Sequence, residues 1–320
     1  MQPEIDDWTQ RVQACTKEWR LVAGMNPLAI AKRIREDRID VLIDLAGHTS
    51  HGALEVLACQ PARVQVSWLG YTWTTGLQNV DYYLADSLWL PPGRFDSLFT
   101  EKLRYLPAWL PFAYEGDAPE VTSLPARRQS VFTFGSFNHT RKISNEVIAL
   151  WSQILRACPF ARLVVAGIDS TTTESRLLSQ FALQGIDGNR VVFHQRVSAR
   201  EYLELHSAVD LCLDAFPFCS ATTVQHAAWM GVPTVTLCGS TPISCASAGV
   251  LRHLGLDAFI AHDPQHYVRI ANEWASNLEG LAAIRAQLRE ILVESAMARC
   301  ESIAQRLEEL LLEFSSGISI

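Results

Sequence analysis

The sequence predicts an α/β protein of two Rossmann-like lobes with parallel sheets, the N-terminal lobe incomplete. From about residue 130 onward, short β-branched apolar runs alternate with amphipathic stretches of helical period, the pattern of a parallel sheet flanked by helices. A weaker alternation occupies the first part of the chain. Between them, the polar, Pro-containing segment from Tyr114 to Gln129 reads as loop and linker, so the lobes are expected at residues 1–120 and 121–320.

The N-terminal elements are a helix around Pro27 to Asp37, a strand in DVLIDLAG, a short helix near Leu54, a strand in RVQVSWLG and a weaker one in DYYLAD. Three or four strands are few for an independent Rossmann-like domain. The second lobe opens with the strand VFTFGSF. Ser144 then caps a helix whose Val147, Leu150, Trp151, Ile154, Leu155 and Cys158 share one face, and Pro159 ends it. After the strand RLVVAG, Thr171-x-x-Glu174 reads as a capping box opening a helix that carries Leu177, Leu178 and Phe181 and stops before Gly185. The strand RVVFH follows. Ser198-x-x-Glu201 is a second capping box, leading through Tyr202, Leu205, His206 and Val209 to the strand DLCLD, a helix near Thr222, and the strand PTVTL. Past residue 265 three helical segments follow. The last, ESIAQRLEELLLEF, reads either as a coiled-coil tail or as a helix packed back on the domain, the commoner arrangement.

Composition excludes several functions. The 320 residues are 48% hydrophobic and 19% charged, enough for two filled cores. A net charge of −7 without a Lys/Arg run argues against a nucleic-acid partner, whose phosphates need a basic stripe. Nothing approaches the roughly 18 apolar residues of a membrane span, and the acidic start MQPEIDDWTQR is unlike a signal peptide, so a cytoplasmic location and no membrane partner are expected. The eight cysteines form no C-x-x-C pair and lie mostly in apolar runs, so buried free thiols are expected instead of a zinc site or disulfide framework. His48 and His51 in GHTSHG lack a third ligand at suitable spacing and read as turn residues.

Open parallel sheets bind ligands beyond the carboxyl ends of their strands. Two loops there carry suitable chemistry. FNHTRK places His139, Arg141 and Lys142 at this edge, and AFPFCSATT presents Thr222 and Thr223 at a helix N-terminus, where exposed N–H groups and the helix dipole attract anions. Thr-Thr is also an ordinary N-cap. A lysine facing a helix end suits a leaving diphosphate. The chain has no Asp-x-Asp for a divalent metal, no G-x-G-x-x-G and no P-loop, which lowers dinucleotide oxidoreductases and P-loop ATPases. Sugar transfer from a nucleotide sugar, with no cofactor and no metal, fits best.

Four motifs, DVLIDLAGHT (40–49), QPARVQVSWLGY (60–71), FGSFNHTRKIS (134–144) and LCLDAFPF…TT…AWMGVPTVTL (211–237), resemble the O-GlcNAc transferase/SPINDLY family, inverting glycosyltransferases of the GT-B fold. The resemblance covers roughly Asp7 to Arg299. It implies two facing Rossmann-like lobes, a UDP-GlcNAc donor held mainly by the second, and metal-free transfer to Ser/Thr hydroxyls of proteins. Lys142 matches the family lysine on the diphosphate and is the catalytic candidate. His139 stands at a polar diphosphate-binding position, Thr222 and Thr223 at the phosphate-binding helix end, and Arg200 at a lysine beside the nucleoside. Gly70 and Tyr71 match a loop near the sugar, continued by Thr74, Thr75 and Gly76.

The sequence departs from the family at three places. Thr72 and Trp73 replace a Pro-Gly pair, Cys219-Ser220-Ala221 replace a Gly/Asn-rich run, and His226 stands where an acid bonds the ribose hydroxyls. An imidazole accepts one hydrogen bond where a carboxylate accepts two at once. The resemblance also implies further N-terminal βα units, a rim histidine and tetratricopeptide repeats that this sequence does not contain, so a fragment or reduced homologue is expected, and no catalytic base is identified. The alternatives are another donor, such as GDP-fucose or UDP-glucose, and a non-catalytic nucleotide-binding scaffold.

Overall fold

The computed structural model describes residues 6–50, 52–114 and 118–316. In chain order the elements are α1 (Asp7–Ala14), α2 (Pro27–Glu36), β1 (Val41–Asp44), α3 (Leu54–Ala58), β2 (Val64–Trp68), β3 (Tyr82–Ala85), β4 (Lys102–Tyr105), β5 (Phe132–Ser136), α4 (Asn145–Ala157), β6 (Ala161–Ile168), α5 (Thr171–Leu183), β7 (Val191–Gln195), α6 (Ala199–Leu205), β8 (Leu211–Leu213), α7 (Ala221–Trp229), β9 (Thr234–Leu237), α8 (Ala246–His253), β10 (Ile260–Ala261), α9 (Pro264–Ser276), α10 (Leu278–Glu294) and α11 (Cys300–Ser316). Contacts divide the chain into Met1–Tyr83 with Phe99–Leu103 and Leu310–Ile320, and Leu84–Leu98 with Arg104–Glu309.

The strands of the first sheet lie in the order β1-β2-β3-β4, with β1 and β2 parallel from Val41 opposite Val64 to Asp44 opposite Ser67. Within the first unit, buried polar side chains fix the loops. Gln65 donates from Nε2 to the carbonyls of Leu57 (3.0 Å) and Asn79 (2.6 Å), and Glu101 accepts from the Thr75 amide at 2.7 Å. The end of α11 returns to this unit, where Phe314 stacks on Tyr82 at 4.0 Å. Ile303, Leu310 and Phe314 are buried, so α11 is a packed helix and not a free coiled-coil tail. His48 lies in a turn, its Nε2 3.0 Å from the Thr75 carbonyl oxygen, whereas His51 lies outside the described residues.

The second sheet has six parallel strands in the order β10-β9-β8-β5-β6-β7. Counted from β5, this is the doubly wound order 3-2-1-4-5-6, and its direction reverses between β5 and β8. The apolar face expected on α4 is buried through Val147, Leu150, Trp151, Ile154 and Leu155, and Ser144 caps the helix. Trp151 donates from Nε1 to the Tyr267 hydroxyl (3.2 Å), which donates to the Asp214 carbonyl (2.8 Å), tying α4 and α9 to the end of β8. Arg285 of α10 is almost fully buried and donates to the carbonyls of Thr122 (2.7 Å), Val209 (2.8 Å) and His206 (3.3 Å).

Some local expectations are corrected. The cap of α5 is Ser170, one residue before Thr171, because its hydroxyl oxygen accepts from the Thr173 amide (3.2 Å); the capping box at Ser198 and Glu201 forms as expected. Cys238 and Cys245 form a disulfide with Cα atoms 4.6 Å apart, where free thiols were expected. The turn between β9 and α8 folds the chain back within seven residues, a proximity that spacing alone does not announce. Of the remaining cysteines Cys212 and Cys219 are buried, Cys59 and Cys158 half-buried, and Cys15 and Cys300 exposed. Gly231, expected to end α7, has φ +73°, a conformation a side chain would strain.

Candidate nucleotide site

The loop after β5 is pinned by Asn138, which donates from Nδ2 to the Ser136 hydroxyl (2.9 Å) and to the Leu213 carbonyl at the end of β8 (3.2 Å). A single tight turn, Thr140–Lys142, follows, with the His139 ring accepting from the Arg141 amide at 3.2 Å. That turn aims Lys142 across the crevice. Its Nζ donates to the Ser220 hydroxyl (2.7 Å) and the Cys219 carbonyl (3.0 Å) and lies 4.2 Å from the Phe218 ring centroid. Lys142 thereby joins the loops that follow β5 and β8, the two strands between which the sheet reverses direction.

Burial lowers the Lys142 pKa below that of a free lysine, partly opposed by Asp214. Asp214 is buried, and loss of hydration raises its carboxyl pKa, while Thr236 Oγ1 (2.8 Å) and the Ala215 amide (2.9 Å) donate to it. The ammonium is therefore seated in protein but only partly compensated, the condition in which an incoming anion gains most.

Helix α7 begins at Ala221, with Ser220 at the N-cap. The two threonines lie in the first turn, at the helix N-terminus as expected and not at the N-cap, the alternative the sequence also allowed. Ser220 makes no side-chain cap bond; its hydroxyl accepts from Lys142 instead, and its amide donates to Ser247 Oγ (3.1 Å). Amides of a helix's first turn have no intrahelical acceptor, so α7 directs N–H groups and the positive end of its dipole at the crevice beside Lys142.

A cavity of about 490 Å³ opens at the first turn of α7, and Lys142 is not among its lining residues. His139 lines it from the loop after β5, Asp169 from just after β6, Gln195 from the end of β7 with Arg196 and Val197 from the loop that follows, and Thr222, Thr223 and His226 from α7. His226 Nδ1 lies 3.3 Å from the Tyr202 hydroxyl, which also hydrogen-bonds Thr223. Burial lowers the His226 pKa and favours the neutral ring, and raises that of Tyr202. Behind them, His206 stacks on Phe137 at 3.6 Å, completely buried, its pKa pushed down to about 3 chiefly by loss of hydration.

The structure thus brings together His139, Thr222, Thr223 and His226 around the cavity, with Lys142 at the foot of α7. Arg200 is not among the lining residues; it is exposed on α6 and pairs with Glu204 at 3.0 Å, while Arg196 of the preceding loop lines the cavity. Gly70 and Tyr71 belong to the first unit. A Cβ at Gly70 would fall 1.8 Å from the Leu45 carbonyl oxygen, and Tyr71 packs edge-on against His48 at 5.0 Å. Sequence reasoning missed Tyr202, taken as a core position, together with Asp169 and Arg196. The position of Asp169 immediately after a β-branched strand was the available signal.

A doubly wound sheet with a lysine and a helix end converging at its switch point, accompanied by a second sheet, is the arrangement of the GT-B fold of glycosyltransferases. The chain belongs to glycosyl transferase family 41, whose model matches residues 24–117 and 119–307. It is 34% identical over 295 residues to a Petunia hybrida protein named "Probable UDP-N-acetylglucosamine--peptide N-acetylglucosaminyltransferase SPINDLY", covering 91% of this chain and 31% of that one. An Arabidopsis thaliana protein with the same enzymatic name and the designation SEC is 29% identical, covering 88% and 30%. The chain spans about a third of the length of such relatives. Among solved structures, a Thermobaculum terrenum O-GlcNAc transferase variant superposes with a TM-score of 0.91 at 33% identity, over 98% of this chain and 60% of that one. Anabaena HepE in complex with UDP and glucose shares the fold, with a TM-score of 0.56 at 16% identity over 96% of this chain and 90% of that one.

Proposed function

We propose that this chain moves GlcNAc from UDP-GlcNAc to Ser/Thr hydroxyls of proteins by a single inverting displacement without a metal, acting in the cytoplasm. The observation that carries the reading is Lys142, lodged between the Ser220 hydroxyl and the Cys219 carbonyl at the foot of α7. A diphosphate placed there meets an ammonium and a row of amides. The acceptor hydroxyl oxygen attacks the anomeric carbon and its proton passes to solvent water, the bond from that carbon to the diphosphate oxygen breaks, and the charge left on the diphosphate is taken up by Lys142 and the helix end. Cationic and N–H donors stabilise that charge directly, the part a divalent ion would otherwise play. The relatives' names support the donor and the protein acceptor. Among the described residues no helix is long and apolar enough to cross a membrane.

The test is transfer of labelled GlcNAc from UDP-GlcNAc to acceptor proteins, with and without chelator, alongside UDP release. Turnover is expected in both conditions, with a loss of about 100-fold or more in Lys142→Ala. No turnover while UDP still binds would replace the enzyme reading with that of a nucleotide-binding scaffold, the alternative that His226 in place of an acid favours.

A further inference from the structure

On the nucleotide-sugar reading above, we infer that Asp169, and not His226, is the group that recognises the ribose hydroxyls of the donor. The end of the cavity lined by His139, Thr222 and Thr223 is the diphosphate end, where α7 begins beside β5 and β8, so a nucleoside continuing from it crosses the loops after β6 and β7. Asp169 follows β6 directly and lines that stretch. It is the one carboxylate among the described residues lining the cavity. In a doubly wound half, an acid near the end of the second strand is positioned to meet a ribose, and β6 is the second strand counted from β5.

The chemistry agrees with the placement. A ribose diol presents two O–H donors, best matched by a carboxylate that accepts both. Asp169 is kept ionised: hydroxyls of Thr173 and Ser170, with Thr140 Oγ1 at 3.5 Å, donate to it and lower its pKa. Those bonds orient the carboxylate without exhausting its roughly four lone-pair sites. His226, by contrast, already has its Nδ1 engaged with the Tyr202 hydroxyl, and burial keeps its ring neutral. A helix-capping role for Asp169 alone is the plainer alternative, but Ser170 already caps α5.

The experiment is calorimetric titration of UDP and 2′-deoxy-UDP into the full chain and into Asp169→Asn and His226→Ala. Asparagine retains an oxygen that can accept from Ser170 and Thr173, so the entry to α5 is preserved. The wild type should bind UDP about tenfold or more tighter than the deoxy analogue. Asp169→Asn should weaken UDP more than 2′-deoxy-UDP, which keeps only the 3′-hydroxyl contact, so that the discrimination falls to about twofold or less, and His226→Ala should retain it. Discrimination that survives in Asp169→Asn, or disappears only in His226→Ala, overturns the assignment while the nucleotide site stands. Failure of the wild type to bind either nucleotide overturns the site itself, and the assignment with it.

Discussion

Replacing His206 with phenylalanine should remove a pH-dependent weakness from the second unit. The ring is completely buried, stacked flat on Phe137, with Nδ1 3.0 Å from the Tyr202 carbonyl oxygen. Its pKa falls from 6.5 to about 3, so between those values the unfolded chain takes up a proton that the native state refuses. Stability contributed by the neutral ring is thus complete above 6.5 and is lost as the pH falls. One unit below 6.5 the loss is about 1.4 kcal/mol and two units below about 2.7 kcal/mol, since the unfolded imidazole gains RT ln(1 + 10) and RT ln(1 + 100) respectively. Phenylalanine keeps the stack and gives up one hydrogen bond, an offset independent of pH of about 1 kcal/mol. Urea unfolding of both proteins at about pH 7.5 and about pH 5.5 reads the difference directly, because the wild type should lose about 1.4 kcal/mol more than the variant over that interval. Parallel pH dependences would refute the argument that the native imidazole resists protonation.

Two further substitutions test the scaffold. Arg285→Met should destabilise the protein by about 3 kcal/mol in denaturant unfolding, because the buried carbonyls of Thr122, Val209 and His206 lose their donor; an unchanged midpoint would show that water replaces the guanidinium at no cost. Gly70→Ala forces a Cβ onto the Leu45 carbonyl oxygen, 1.8 Å away in the present backbone. It should lower the melting temperature of the first unit by several degrees, about 2 kcal/mol or more, whereas an unchanged melt would show that this backbone contact yields freely.

Much of the fold was legible because period and polarity agree along the chain. The run FTFGS formed β5, the apolar face of α4 was buried where its spacing placed it, and Ser198 with Glu201 closed their capping box. Elements without contrast escaped. β4 is KLRY, two of its four residues charged, and α8 is ASAGVLRH, whose small residues carry little periodic signal though six of its eight are buried. The convergence of Lys142 on the start of α7 was readable because a lysine and a helix start follow adjacent strands. The lining of the rest of the cavity was not. Tyr202 obeys the helical period of a core residue, yet its hydroxyl reaches His226, and whether Arg196 or Arg200 enters the cavity depends on where α6 begins.

Calorimetry with UDP tests whether a diphosphate binds between Lys142 and the first turn of α7. UDP should bind the wild type, and Lys142→Ala should weaken it by about 10- to 100-fold, the contribution of a charge-assisted contact in a partly desolvated site. Equal affinity in the two proteins, or no binding to either, would contradict it.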